Sequence, residues 1–292
     1  CLGCVTSAEE VLVAQHSYQE VLNALESQRG NAIFVASICH QTRASLAAAY
    51  GRTIDQVDYA LLDLFVNQMG FRHVVGTGLG RKISLFNEAA TTAHMRQQGT
   101  ILGPVLSSIC PGWVLYAEKT HPYVLSNLSK VKLAQQITGC ILKTLTAKGA
   151  SVSPDKVYHL SVMPCFDKKL ESARKEALGE GAADVDCVLT AKELVSLVEE
   201  KYTWRWSHDG QQADLPSLNE LYHEVAPQNW SESSSSWMND VGSASGGYAE
   251  NYLTTYERKL KEADPSVIYS RLLLAGKNAA LLEMRLVRDD IL

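Results

Sequence analysis

The sequence predicts an α/β protein whose strands run parallel, and three observations carry the prediction. Short apolar runs, too brief for buried helices, recur at 32–38, 71–77, 158–165 and 188–190. Stretches with helical spacing separate them, the alternation that builds a parallel sheet through crossover helices. Cys39, Cys110 and Cys165 each stand where a strand is predicted to end, the edge at which open α/β sheets bind ligands.

The chain opens with a C-x-x-C pair, Cys1 and Cys4. Half of a zinc site, a redox pair and part of an iron–sulfur motif all fit that spacing. Thr6 or Ser7 can cap a helix, with Glu9 and Glu10 in its first turn, predicted to run to about Ser27. Arg29 to Asn31 form a turn. The run 32–38 reads as a buried strand and 42–51 as a helix. Cys39 and His40 between them invite a metal or nucleophile reading; a thiol lining a pocket beside a turn histidine is the expectation. Leu61, Leu62, Leu64, Phe65 and Met69 give a helix over 55–70 a broad apolar face.

The strand 71–77 leads into Gly76-Thr77-Gly78-Leu79-Gly80 and a helix over 82–98. This turn resembles a phosphate cradle, with Arg81 and Lys82 adding charge. It lacks G-K-[ST], so a plain strand-to-helix turn is expected. The run 101–106 reads as a buried strand delivering Cys110. Pro111 and Gly112 then force a turn into a short helix over 113–119. Cys140 falls on the apolar face of a long helix over 131–148, and Cys187 in a strand ahead of a helix over 191–200; both read as core. From Lys201, residues Trp204, Trp206, Gly210 and Pro216 break the periodicity. The Ser/Gly-rich stretch 231–247 reads as a linker or mobile loop. A helix over 248–261 and two strands, 267–274 and 279–287, antiparallel to each other, complete the chain.

Composition narrows the function classes. With 292 residues and 46% hydrophobic content, the chain can bury a sizeable core in one large domain or two lobes. Net charge is −5 and no basic patch stands out, which argues against a nucleic-acid partner. No apolar run reaches the roughly 18 residues of a membrane helix. Seven cysteines are too sparse and irregular for a disulfide scaffold and point to metal or reduced thiols. The chain starts at Cys1 rather than Met, so the natural N-terminus is expected upstream. It also ends in a strand-like run with nothing after it to pack on.

Two stretches carry a family resemblance. SSICPGWVLYAEKTHPYVLSNLS, from Ser107, resembles the SCCPGW–x–EK–HP–L–NLS segment of iron-only hydrogenases, and MPCFDKKLESAR, from Met163, resembles their MPC–x–x–KK–x–E segment. CLGCVTSAEEVL, SLAAAYG, DVDCVLTAKEL and the Gly246-Gly247-x-x-Glu250 turn are similar to the eukaryotic hydrogenase-like branch of the family. That branch holds the Nar-type cytosolic iron–sulfur assembly factors and the prelamin A recognition factor relatives. Cys39-His40, where the family more often has a small residue and proline, and Lys82, near an acidic position of the hydrogenases, depart from the pattern.

The resemblance implies an iron-only hydrogenase-like fold, α/β, with two parallel-sheet lobes flanked by helices and a cluster site between them. Residues 1–30 would end an N-terminal cluster segment, 31–100 form the first lobe and 101–230 the second. The loop 231–247 and the helix and strands of 248–292 would complete the domain. It implies two [4Fe–4S] clusters, one on Cys1 and Cys4 and one on Cys110 and Cys165. Each would take two further cysteines from outside this chain, two of them in a final segment beyond it. Around the second, Trp113 would wall off water, Lys168 would bring its ammonium to the cluster or a bound diatomic ligand, and Cys39 would line the pocket. Gly246 and Gly247 would let backbone approach. Active hydrogenases carry a proton-relay cysteine where this chain has Ile109, and isoleucine cannot carry a proton.

The implied role is therefore an adaptor rather than an enzyme. It would pass clusters from an early scaffold to a targeting complex with a WD-repeat propeller subunit, in the cytosol and with the nucleus as a second location. A redox enzyme of the iron-only hydrogenase type is the alternative. A zinc-stapled interaction protein is a third reading.

Overall fold

The computed structural model describes residues 10–11, 14–101, 103–174, 183–206, 216–238, 244–278 and 280–289. Cys1 and Cys4 lie outside the described residues. The chain divides into two compact units. The larger takes Cys1–Arg81, Cys110–Tyr116 and Lys132–Asn239; the smaller takes Lys82–Ile109, Ala117–Val131 and Asp240–Leu292.

The larger unit is built on one parallel sheet of Ile33–Ile38 (β1), His73–Gly76 (β2), Val157–Met163 (β3) and Cys187–Thr190 (β4), in the order β2-β1-β3-β4. Ala36 of β1 faces Val74 on one side and Leu160 on the other, and Leu160 in turn faces Cys187. All four strands are buried almost without interruption. Helices covering both faces explain why these runs are apolar throughout rather than alternating. The α/β class and the parallel pairing hold. The division of strands between two lobes does not: β1 and β2, expected in one, share a sheet with β3 and β4, expected in the other. Chain order misleads because crossover connections allow β3 to pair with β1, far from it in sequence.

Local chemistry sets the helix boundaries. Tyr18–Ser27 (α1) is capped by Ser17, whose Oγ accepts from the Glu20 amide at 3.3 Å. The expected continuous helix to Ser27 is thus interrupted at Gln15 to Ser17. His40–Tyr50 (α2) ends at Gly51, in the left-handed region at φ 60°. The helix expected over 55–70 is α-helical at Ile54–Leu62 (α3), opened by a Thr53/Gln56 capping box, and continues as a π-helix at Asp63–Gln68. Gly78–Gln97 (α4), Pro111–Thr120 (α5), Ala134–Ala150 (α6), Asp167–Ser172 (α7), Ala191–Lys201 (α8) and Leu218–Val225 (α9) follow. The last was not expected; it lies within the stretch whose tryptophans and proline break periodicity.

Two further expectations are corrected. Residues 101–106 form no strand among those described; Leu106 makes a single parallel bridge with Leu128, after Gly103 and Pro104 have broken the run. The Ser/Gly-rich stretch is not a free loop over its first half. Ser236 and Trp237 are buried at 2% and 3% exposure, and Trp237 stacks on Tyr222 at 4.7 Å between ring centroids.

In the smaller unit, Tyr248–Ala263 (α10) precedes an antiparallel hairpin of Tyr269–Ala275 (β5) and Leu282–Arg288 (β6), as expected from the sequence. Asn251 Nδ2 donates to the Leu85 carbonyl at 2.7 Å, and Ser84 and Tyr248 share a hydroxyl contact of 3.2 Å.

Candidate metal centre

Cys110 and Cys165 reach one neighbourhood from two different elements. Cys110 stands immediately before α5, where its Sγ accepts the Trp113 amide at 3.4 Å and its carbonyl accepts the Val114 amide at 3.3 Å. It is therefore a helix-capping thiol rather than the end of a strand. Cys165 follows Met163 and Pro164 at the C-terminal end of the central strand β3 and lies just ahead of α7. Burial pushes its thiol up; the Lys168 amide opposes this, the Asp167 charge reinforces it, and the Asp167 amide and Lys168 ammonium pull down. Asp167 links the two cysteines, since its Oδ2 lies 3.9 Å from Cys110 Sγ.

Gly112 leaves room for the Asp167 carboxylate at the start of α5. A Cβ there would sit 2.6 Å from Asp167 Oδ2, so the carboxylate would have to turn aside. The glycine of C-P-G-W therefore does more than permit a turn. It lets the start of α5 close onto the residue two beyond Cys165.

The wall behind Cys165 is polar and buried. Lys168 is 5% exposed, and its ammonium meets Glu171 Oε2 at 2.5 Å. Gln135 Nε2 donates to the Lys168 carbonyl at 3.0 Å. Glu171 Oε1 and Gln135 Oε1 are buried acceptors with no hydrogen-bond partner among the described residues. Burial raises the Glu171 carboxyl, while the Lys168 charge holds it down. Cys39 Sγ caps α2 by accepting the Thr42 amide at 3.3 Å and lies 3.1 Å from Thr42 Oγ1. Burial raises this thiol, with Thr42 and, more weakly, the Lys168 ammonium acting in the opposite direction. His40 beside it is lowered to about 4 by burial and by the Arg81 and Arg43 charges.

Other expected residues fall differently. Trp113, expected to wall off water, is 39% exposed. It shares the rim with Tyr116, one helical turn on and 42% exposed. Gly246 and Gly247 take φ of 82° and 79° and lead into α10. A Cβ on Gly246 would lie 3.3 Å from Ile109 Cβ, so this turn packs against the Ile109 side chain. The phosphate-like turn holds the protein's own chain: a Cβ at Gly78 would sit 2.6 Å from the Ser236 carbonyl oxygen and 2.9 Å from that of Met238. Cys187 is 1% exposed, with its thiol pushed up to about 12 by burial, which matches a core position. Cys140 is half-buried instead.

Two soft donors, half-buried and capped by backbone amides, suit a thiolate-held iron centre. Buried acceptors left without donors beside them fit a site completed by further groups. Among the described residues no group of three or more His, Cys, Asp or Glu side chains is placed to hold a metal ion. Sequence reasoning missed Asp167 and Glu171 as part of the site. The signal was present in the M-P-C–x–x–K-K–x–E spacing, which puts Lys168 and Glu171 one helical turn apart.

A family profile described as "Iron only hydrogenase large subunit, C-terminal domain" matches residues 32–280. The chain belongs to that family. Solved structures agree on the fold of this hydrogenase-like chain. An [FeFe]-hydrogenase HydA1 from Chlamydomonas reinhardtii superposes with a TM-score of 0.55 at 22% identity, over 67% of this chain and 53% of that one. The structure titled for stepwise [FeFe]-hydrogenase H-cluster assembly gives 0.56 at 22%, over 67% and 52%. Curated relatives are nearer in sequence. Proteins named cytosolic Fe-S cluster assembly factor NAR1 are 53% identical in Meyerozyma guilliermondii, 50% in Candida albicans and 42% in Yarrowia lipolytica. They match 99%, 98% and 99% of this chain and are themselves covered over 56%, 52% and 58% of their length. The hydrogenase-like chain thus spans little more than half the length of these relatives.

Proposed function

We propose that the protein is an iron–sulfur adaptor of cytosolic iron–sulfur protein assembly. It carries [4Fe–4S] clusters between an early scaffold and a late targeting complex for the maturation of cytosolic and nuclear apo-proteins. The observation that carries this reading is the convergence of Cys110 and Cys165 on Asp167 in a chain about half identical to proteins named as assembly factors. Cys110 and Cys165 would hold one cluster with two cysteines from outside this chain. Cys1 and Cys4 would hold half of a second. The bound group supplies a four-iron core that thiolates can accept or release. The chain's own residues grip and shield it: amides of Trp113, Asp167 and Lys168 donate to the sulfurs, and Lys168 with Glu171 gives a buried polar backing. A WD-repeat subunit of the targeting complex is the expected partner. The cytosol is the expected location, with a nuclear pool beside it.

The fold likeness favours one competing reading, a redox enzyme with hydrogen chemistry. Ile109 argues against it, because this side chain takes no proton and packs against Gly246. A gas-evolution assay on the intact, iron-loaded protein separates the two. The adaptor reading predicts no hydrogen above a Cys110→Ala control. Hydrogen release abolished by that substitution would establish the enzyme instead.

A further inference from the structure

Helix α7 has only six residues, too few to hold a helical shape alone. It begins two residues after Cys165, and its Asp167 and Lys168 amides donate to that sulfur. What holds α7 therefore sets the surroundings of the thiol. Lys169, 2% exposed, ties it to Glu193 Oε1 at 2.5 Å. A second hold comes from α6, and it falls on the two residues of the buried Lys168–Glu171 pair.

Two consecutive glutamines make this second hold. Gln135 Nε2 donates to the Lys168 carbonyl at 3.0 Å, and Gln136 Nε2 donates to the Glu171 carbonyl at 3.0 Å. A carbonyl only accepts, so both side chains must present nitrogen and their orientation is fixed. The helix they stand on is itself firmly seated. A Cβ on Gly139 would sit 2.2 Å from the Asp184 carbonyl oxygen, and one on Gly80 would sit 2.6 Å from the Ala134 carbonyl oxygen. Farther along α6, Lys143 pairs with Asp186 at 2.7 Å and donates to the Ala183 carbonyl at 2.7 Å. The first turn of α6 is thus a fixed point from which side chains reach α7.

Gln135 is fully buried, and its Oε1 has no hydrogen-bond partner among the described residues. A buried acceptor left bare costs free energy. A methionine of similar length would fill the same space without that cost. What glutamine adds at this position is the bond to the Lys168 carbonyl, which serves placement rather than stability.

We propose that Gln135 and Gln136 are positioning residues of the metal centre, holding α7 so that the Cys165 side of the site is set before any metal arrives. The role toward a cluster rests on the function proposed above; the hold on α7 in the metal-free protein does not.

Amide hydrogen exchange on the intact, metal-free protein, read beside the denaturant midpoint, tests the hold. Wild-type α7 should already be protected; an unprotected α7 overturns the proposal. In Gln135→Met, exchange across Asp167–Ser172 should speed about two- to tenfold, the worth of one neutral hydrogen bond. Strands β1 and β3 should exchange as in the wild type, and the midpoint should not fall. Unchanged exchange in α7 overturns the proposal, as does exchange that speeds equally in α7, β1 and β3 with a lowered midpoint. If Gln135→Met does not fold, Gln136→Met, at a half-buried position, should give the same local response. Gln136→Lys, which returns an N–H donor, should give wild-type exchange. No response to the first, or the same response to both, overturns the proposal equally. In iron-loaded protein, the electron paramagnetic spectrum of the cluster that Cys165→Ala removes should shift in Gln135→Met, and an unshifted spectrum overturns the role at the metal centre. A protein that takes up no iron fails the function reading alone, and the exchange result still decides whether the glutamines hold α7.

Discussion

Gly112 shows how one residue's reason can lie far away in the chain. Its neighbours in C-P-G-W suggest a turn, yet the constraint comes from Asp167 Oδ2, 2.6 Å from where a Cβ would stand. Gly112→Ala should turn the Asp167 carboxylate away from Cys110 at a cost of about 1 kcal/mol or less, the strain of a displaced rotamer. Denaturant unfolding measures the cost; a loss of several kcal/mol would mean that the carboxylate cannot turn aside. The two cysteines stood out as candidates in the sequence, because a thiol beside a proline at a predicted strand end is a local signal. Asp167 as the link between them was not, since only tertiary contact reveals it. Cys110 was expected at a strand end, but the run before it forms no strand among the described residues, and the capping geometry of α5 places the thiol.

At the scale of elements, the strands were the easiest to read and the segment after Trp230 the hardest. Uninterrupted apolar runs such as 32–38 announce a strand buried on both faces. The stretch 231–238 is rich in serine and reads as linker, but it is held by partners that composition cannot show. Arg43 Nε donates to Asp58 Oδ1 at 2.5 Å, its Nη1 donates to the Trp237 carbonyl, and Tyr222 Oη donates to Asp58 Oδ2 at 2.5 Å. Asp58 is fully buried, so Asp58→Ala strands the Arg43 charge. Breaking a buried pair this way should cost about 3–5 kcal/mol. Trp237→Ala, which empties the stack on Tyr222, should cost about as much, 3–5 kcal/mol. Limited proteolysis gives the matching test: wild-type cleavage between Trp230 and Met238 should be slow and become fast in either variant. Fast wild-type cleavage there would restore the mobile-loop reading.

The whole molecule should lose stability in mild acid. His159 is fully buried and lowered to about 4 by burial, with the Asp184 carbonyl opposing and the Lys143 charge assisting. His16 is lowered to about 4 by burial and the Lys169 charge, with Glu193 opposing. Each binds a proton more readily when unfolded, so stability is complete above the ordinary value of about 6.5 and falls as the pH drops toward 4. For His159 the loss is of order 3 kcal/mol across that window, at about 1.4 kcal/mol per pH unit. Denaturant midpoints at pH 7 and pH 5 should differ clearly, and His159→Gln should flatten the difference. Equal midpoints would show that these histidines do not govern acid sensitivity.

The division into two sheets was the part of the global fold that the sequence obscured. Strand pairing order is set by which runs can be buried on both faces, not by their order along the chain, so β3 came to lie against β1.

The central claim, that Cys110 and Cys165 hold an iron–sulfur cluster, is tested most directly by iron and acid-labile sulfide content. The protein should be prepared intact and without oxygen, beside a Cys110→Ala, Cys165→Ala double variant. About eight iron and eight sulfide per wild-type chain, falling to about four of each in the variant, is the predicted result for two four-iron clusters with one at this site. Zinc in place of iron, or iron that the double substitution leaves unchanged, would make these cysteines structural and contradict the account.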